Sequence, residues 1–316
     1  MEANTIGGGI TKNTTANITS QHGQICDKII KKYGIEKAKQ YLEINQAALE
    51  TYRDLCKNID CDFEEKDSYV YSIDNRQNIE AEIRAINKLG FNTEFAKDFP
   101  FINKHGGYFI KMYQHRSYVI GLKNAADVNG IYVDESKTGM SFRNYKNLLF
   151  IGDGAHRTGK KGGNWEELRT FAKNYYPGAI EEYHWATQDC MTLASIPYIG
   201  PYSKGTKGLY VATGFNKWGM TSSMVSAMIL CDMVQGRKNE YQGLFLPSRS
   251  ILHPQLAVNV FESTKGLLTP NLKRCPHLGC ALKWIPYEHT WDCPYHGSRF
   301  TENGAVIDNP TTGDLN

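Results

Sequence analysis

The sequence predicts a mixed α/β body followed by a small all-β terminal domain that holds metal. Three observations carry this reading. Apolar residues recur at helical spacing from Ile25 to Ile59, strand-like runs dominate between Tyr108 and Ile151, and two short loops near the C-terminus each pair a cysteine with a histidine. At 316 residues the chain has room for two cores.

The first helical stretch places Ile29, Ile30, Tyr33, Ala38, Tyr41, Leu42, Ala47, Leu49 and Leu55 at three- and four-residue intervals, with a break expected at Gly34. Ser68 to Ile73 alternates as a strand, and Asn78 to Leu89, closed by Gly90, reads as an amphipathic helix. Strands are expected at Tyr108 to Met112, Ser117 to Leu122, Gly130 to Val133 and Leu148 to Ile151. A helix from Trp165 to Tyr175 stops before Pro177, and a strand follows at Glu182 to Gln188. Leu209 to Thr213 reads as a buried strand that leads through GFNKWGMT into a helix ending at Val234, the order a phosphate or dinucleotide site needs. Residues 6 to 23 form a Gly-rich turn and a Thr-rich segment whose backbone could face a phosphate. Pro247, Pro254 and Pro270 punctuate a stretch of little periodicity, read as an interdomain connection.

Composition narrows the class. Hydrophobic residues at 41% and charged residues at 22% suit a globular chain, and a formal charge of +3 without a basic block gives no support to nucleic-acid binding. No apolar run approaches the roughly 20 residues that span a bilayer; the longest, Met224 to Val234, reads as a buried helix. Met1 to Gln21 lacks the charged and apolar regions of a secretory signal, so the sequons at Asn13 and Asn17 are expected to be idle. Of the cysteines at 26, 56, 61, 190, 231, 275, 280 and 293, only the last three form a pattern, which fits a reducing cytoplasm.

That pattern is Cys275-Pro-His277-Leu-Gly-Cys280 and Cys293-Pro-Tyr-His296-Gly-Ser298. Each loop offers one thiolate and one imidazole, the set a Rieske [2Fe-2S] cluster takes as Cys275 and Cys293 on one iron and His277 and His296 on the other. A structural zinc site also accepts two Cys and two His, but its usual spacing pairs like with like. Gly279 and Gly297 suit loops whose N–H groups approach sulfide closely.

CPHLGC with WDCPYHGSRF resembles the Rieske family. Many members join a second cysteine of each loop in a disulfide; Tyr295 stands where the partner of Cys280 would be, so Cys280 is expected to be a buried thiol. By the same resemblance Ser298 donates a hydrogen bond to a cluster sulfide, and Phe300 replaces a tyrosine hydroxyl of high-potential members, which implies an intermediate potential. Both histidines are expected at an exposed tip, where electrons leave.

Upstream, residues 2 to 23, 99 to 121, 148 to 159, 183 to 202 and 209 to 221 resemble FAD-dependent oxidoreductases of the D-amino-acid-oxidase type, in particular those fused to a Rieske domain. The resemblance implies a Rossmann-like FAD-binding body, incomplete, over 1–245, a linker over 246–268 and the Rieske domain over 269–316. It places Glu2 on the adenosine ribose, Thr14, Thr15 and Ala16 along the pyrophosphate and flavin, and Gly214, Phe215, Trp218, Gly219, Met220 and Thr221 over the isoalloxazine. The chain departs from the family in having no GxGxxG loop, a shortened stretch between Phe95 and Phe99, and little before the first cluster loop. Read singly, Trp185 and Trp218 suit a core, Arg116 and His156 suit satisfied polar groups, and His115 suits solvent equally well.

The function implied is oxidation of a small amine-like substrate through FAD, with electrons passing to the Rieske cluster and on to an unknown acceptor. No catalytic general base is identified. The alternative is an electron-transfer module whose body binds no flavin.

Overall fold

The computed structural model describes residues 14–71, 76–91, 93, 111–134, 139–160, 162–202, 210–250, 252, 254–270, 273–277, 279–295, 297–308, 311 and 313–315. In chain order the elements are α1 (Ile25–Tyr33), α2 (Ile35–Cys56), β1 (Ser68–Tyr71), α3 (Arg76–Lys88), β2 (Met112–Lys123), β3 (Ile131–Asp134), β4 (Ser141–Tyr145) and β5 (Leu148–Arg157). Then follow α4 (Trp165–Tyr175), β6 (Ile180–Thr192), β7 (Tyr198–Pro201), β8 (Tyr210–Thr213), α5 (Gly219–Val234), α6 (Gln242–Phe245) and α7 (Pro254–Leu268). The terminal strands are β9 (Lys283–Ile285), β10 (Thr290–Asp292), β11 (Arg299–Thr301) and β12 (Val306–Asp308).

The helices at the start pack into one core with α5, α6 and β7, centred on Ile29, Tyr41, Ile44, Val225, Ile229 and Phe245. Gly34 separates α1 from α2 at φ +86, a conformation that costs glycine little, and its N–H still closes α1 on the Ile30 carbonyl at 3.0 Å. Gln24 makes no side-chain cap at the start of α1. The buried Glu82 of α3 serves instead, accepting the N–H groups of Cys26 and Asp27 at 2.8 and 2.7 Å. A carboxylate there satisfies two orphan donors and meets the positive end of the helix dipole.

A six-stranded sheet runs in the order β1-β3-β4-β5-β2-β6. β1 is parallel to β3, and the other pairs are antiparallel. α4 covers it through Leu168 and Ala172, over Tyr118, Ile120, Phe142, Leu149 and Ile151. Asn164 caps α4 by accepting the Glu166 N–H at 2.6 Å. β7 and β8 pair separately, and β12-β11-β10-β9 make a small antiparallel sheet at the C-terminus. The mixed α/β body and small all-β terminus are thus as expected. No helix among the described residues is long and apolar enough to cross a membrane.

Three sequence expectations need correction. β5 extends six residues beyond Ile151 through GDGAHR, because its ladder with β2 continues to His115 and Arg157 although Asp153, His156 and Arg157 are polar. α5 buries one face only: Val225 and Ile229 are in the core, whereas Val234 is exposed. The connection at 246–268 contains the 15-residue α7, which opens at Pro254, a residue tolerated in a first helical turn, and leaves Phe261 and Leu268 in solvent. Those exposed apolar residues hid its period.

The small sheet is fastened to the large one by a buried charge network. Glu288 pairs with Arg116 of β2 and, at 2.6 Å, with Arg299 of β11, and it accepts the Tyr118 hydroxyl at 2.9 Å. Arg299 also reaches Asp292 and Asp308. Removing one member leaves buried charge unpaired, so Glu288→Ala should cost about 3–5 kcal/mol in chemical denaturation. A change below about 1 kcal/mol would contradict the network's role. A second outcome concerns His22, whose ring nitrogens face the Tyr41 hydroxyl at 2.7 Å and the Thr19 carbonyl at 2.9 Å. Burial pushes its pKa down to about 3 from 6.5. The unfolded chain therefore binds the extra proton in that window, and stability present above pH 6.5 is lost as pH falls toward 3. His22→Gln should flatten this decline in unfolding temperature; a variant that declines in parallel with the parent would contradict it.

Candidate metal centre and cofactor turn

The two Cys-His loops close by one hydrogen-bond frame used twice. In the first, Cys275 N–H donates to the Cys280 carbonyl and Gly279 N–H returns to the Cys275 carbonyl, both at 2.8 Å. In the second, Cys293 N–H donates to the Ser298 carbonyl at 2.8 Å and Gly297 N–H to the Cys293 carbonyl at 3.1 Å. Gly279 and Gly297 sit at φ +69 and +81, the left-handed region each turn requires. The loops are carried by the bridge between Arg274 and Ala281 and by the β10–β11 pair.

This frame brings buried sulfurs together. Cys275 and Cys293 are 1% and 0% exposed and hydrogen-bonded through sulfur, and the Ser298 hydroxyl reaches Cys275 as well. Ser298 accepts the Thr311 N–H at 3.0 Å, which leaves its own proton for the sulfur. The Cys293 sulfur and burial hold the Cys275 thiol above its ordinary value. Two such thiolates side by side call for a cation, which deprotonates ligating thiols outright. The donor set therefore fits a cluster or a metal ion.

His277 is exposed, as expected of a tip. His296 lies outside the described residues, and so does Glu2. Among the described residues, no group of three or more His, Cys, Asp and Glu is disposed to hold a metal ion. The second loop departs from the exposed-tip expectation: Pro294, Tyr295, Gly297 and Ser298 are all buried. Cys280 is a buried, reduced thiol whose sulfur hydrogen-bonds to Cys293. Tyr295 lays its ring over Gly266 of α7, where a side chain would collide with it. Phe300 is fully buried beside them.

The turn that the sequence resemblance sets over a flavin is built at the end of β8. Gly214, at φ +73, faces Thr192 so closely that a Cβ would clash. Asn216 locks the turn: its N–H donates to Cys190 O at 3.1 Å, its Nδ2 to Gly214 O at 2.6 Å, and its Oδ1 accepts Thr192 N–H at 2.7 Å. α5 then starts at Gly219 with no side-chain cap, no acidic residue in its first turn and open space around Gly219. Such a helix start can meet an anionic or carbonyl-bearing group, which fits the edge of a flavin.

The two candidate flavin segments meet through residues between them. The Thr221 hydroxyl donates to Thr19 O at 3.0 Å, and the Trp218 ring stacks on His22 at 4.7 Å. Phe215 and Met220 are half-buried. Thr14 and Ala16 are exposed, and Thr15 is tied to β4 by the Arg143 guanidinium. Trp185 is half-buried, whereas Arg116 and His156 are buried and paired, His156 with the Tyr118 hydroxyl at 3.0 Å.

Sequence reasoning missed a polar cluster beside the turn. His115 is buried, and among the described residues neither ring nitrogen has a hydrogen-bond partner. Burial, then the charge of Lys217, hold its pKa well below the usual value. Asp153 is pushed up to about 8 by burial, and Asp189 is raised for the same reason. The pairing of β2 with β6 sets His115 opposite Asp189, a register that neither strand's own sequence signals.

Comparison with known proteins gives the two regions their families. Residues 96–233 match the FAD dependent oxidoreductase (DAO) family, and residues 247–316 match the Rieske [2Fe-2S] domain. The whole chain aligns with 87% of the Rieske 2Fe-2S iron-sulfur protein YhfW of Bacillus subtilis strain 168, at 28% identity. That alignment runs over 443 positions against 316 residues here, so parts of the relative have no counterpart in this chain. The cytochrome b6-f complex iron-sulfur subunit 3 of a Nostoc species is 44% identical over 36 residues, 11% of this chain and 20% of that subunit. Glycine oxidase from Geobacillus kaustophilus shares 15% identity at a TM-score of 0.38, over 54% of this chain and 43% of that one. The chain thus spans less than half of that solved structure. The body is therefore similar to DAO-type FAD-dependent oxidoreductases over residues 96–233 and the terminus to Rieske [2Fe-2S] domains over residues 247–316, matches that support FAD and a [2Fe-2S] cluster as the cofactors.

Proposed function

We propose that this chain is an oxidoreductase that takes electrons from a small, amine-like substrate at its body and delivers them to an external acceptor at its Rieske domain. When bound, FAD supplies two-electron oxidation and the cluster single-electron carriage. The observation that supports the electron-carrier half most strongly is the doubled loop frame, which presses Cys275 and Cys293 together under the Ser298 hydroxyl.

Each side chain has a task in this reading. Cys275, Cys293 and His277, with His296, hold the cluster. Ser298 donates to sulfur and favours the reduced, more negative state, whereas Phe300 offers no hydroxyl, so an intermediate potential is part of the proposal. Exposed His277 marks the side that meets the acceptor. In the body the Gly214–Thr221 turn faces the flavin, and Thr19 and His22 brace it. His115, Asp153 and Asp189 lie on the sheet within reach of the Lys217 charge and offer polar groups to a substrate. The reading assigns no general base. A reducing, cytoplasmic location, Glu2 at the ribose and Thr14 to Ala16 along the pyrophosphate belong to the same proposal, as do a body over 1–245 and a linker over 246–268.

The second reading, an electron carrier whose body holds no flavin, is favoured by the segments of the relative that this chain lacks. An absorption spectrum of the protein as purified separates the two. Flavin bands near about 370 and 450 nm support the oxidoreductase, and cluster absorbance alone supports the carrier. In either case His277→Ala should abolish the Rieske signal in electron paramagnetic resonance, and Cys280→Ser should leave it in place. Loss of the signal in Cys280→Ser, or its survival in His277→Ala, would contradict the ligand set.

A further inference from the structure

The second cluster loop is seated on the oxidoreductase body. Gln188 of β6 is buried and donates from Nε2 to the Gly297 carbonyl at 2.6 Å. Its amide oxygen accepts the hydroxyl of the fully buried Thr158 at 2.8 Å, which turns the amino group toward the loop. Thr158 is fixed in turn by its N–H on Gln114 O at 3.1 Å. The Gln114 side chain fills the space that a Cβ on Gly297 would need, and Arg157 donates to the Pro294 carbonyl at 3.3 Å. Pro294 and Gly297, on either side of His296 in the sequence, are therefore both held by the body.

Gly297 joins the two functional ends of this loop. Its N–H closes the turn on Cys293, and its carbonyl belongs to the peptide leading into Ser298, whose hydroxyl reaches Cys275. A buried carbonyl stripped of its donor is costly, so the loop would shift to recover a partner and carry Cys293 and Ser298 with it. Groups that orient metal ligands from outside are typically worth about 10–100-fold in affinity.

We propose that Gln188 is a positioning residue of the cluster site, a side chain of the body that fixes the second cluster loop, so that the site is completed across the domain boundary. This rests on the Rieske reading of the loops and extends it. Gln188 lies within residues 96–233, the region matched to the FAD-dependent oxidoreductases.

The test uses the full chain, isolated anaerobically with its cluster, and three readouts: the electron paramagnetic resonance spectrum of the reduced cluster, its midpoint potential, and its lifetime in a chelator. Gln188→Leu removes both hydrogen bonds at similar volume; it should alter the spectrum, lower the potential and speed cluster loss about 10-fold. Thr158→Val, which releases the Gln188 amide, should move all three the same way by less, and Thr158→Ser should restore parent behaviour. If Gln188→Leu does not accumulate folded, the Thr158 pair decides. Parent-like spectrum, potential and lifetime in the Gln188 and Thr158→Val variants would overturn the proposal. A parent chain that takes up no cluster would overturn the Rieske reading instead.

Discussion

The constraint on which the functional site depends is that two self-closing backbone turns set two buried cysteine sulfurs within hydrogen-bond reach of each other. Each loop spends a cysteine N–H and a glycine N–H on closing itself, and the left-handed glycines make those closures possible. The sulfurs that result are adjacent and poorly solvated, and the Cys293 sulfur and burial hold the Cys275 thiol above its ordinary value. The surrounding packing follows. Ser298 is pinned by Thr311 so that its proton faces sulfur, and Tyr295 packs its ring over Gly266 of α7.

β2 is the spine that connects this centre to the rest of the molecule. It pairs with β5 and β6 along nearly its whole length, and successive residues serve different partners. Gln114 packs on the second loop, Arg116 and Tyr118 bind Glu288, and Ile120 fills the sheet core. Met112, at the start of the strand, touches Cys190 through sulfur and lies near the Gly214 turn. A single strand therefore borders both candidate cofactor regions. The ion network around Glu288 gains specificity from its burial, because a domain docked elsewhere would take the Glu288 carboxylate away from the buried Arg116.

Much of this was legible in the sequence wherever local chemistry decides local structure. The break at Gly34, the stop of the helix from Trp165 to Tyr175 before Pro177, and the strand–glycine–helix order at Gly214 follow from turn and helix-end preferences. Loop spacing set Cys275 and Cys293 together with His277 and His296, and of these the structure shows the two cysteine sulfurs hydrogen-bonded. Long-range satisfaction was not legible. The polar run from Asp153 to Arg157 is a strand because β2 pairs with it, and Glu82 caps α1 from 55 residues away in sequence. The burial of the second cluster loop was hidden because it depends on Gln114, Thr158 and Gln188, which look like ordinary surface residues until three strands bring them together.

The account stands or falls on what the paired sulfurs bind. Elemental analysis of the anaerobically isolated chain, with assay of acid-labile sulfide, addresses this directly. Iron and sulfide in equal amounts are the expected result; stoichiometric zinc without sulfide, or neither iron nor sulfide after reconstitution, would contradict it.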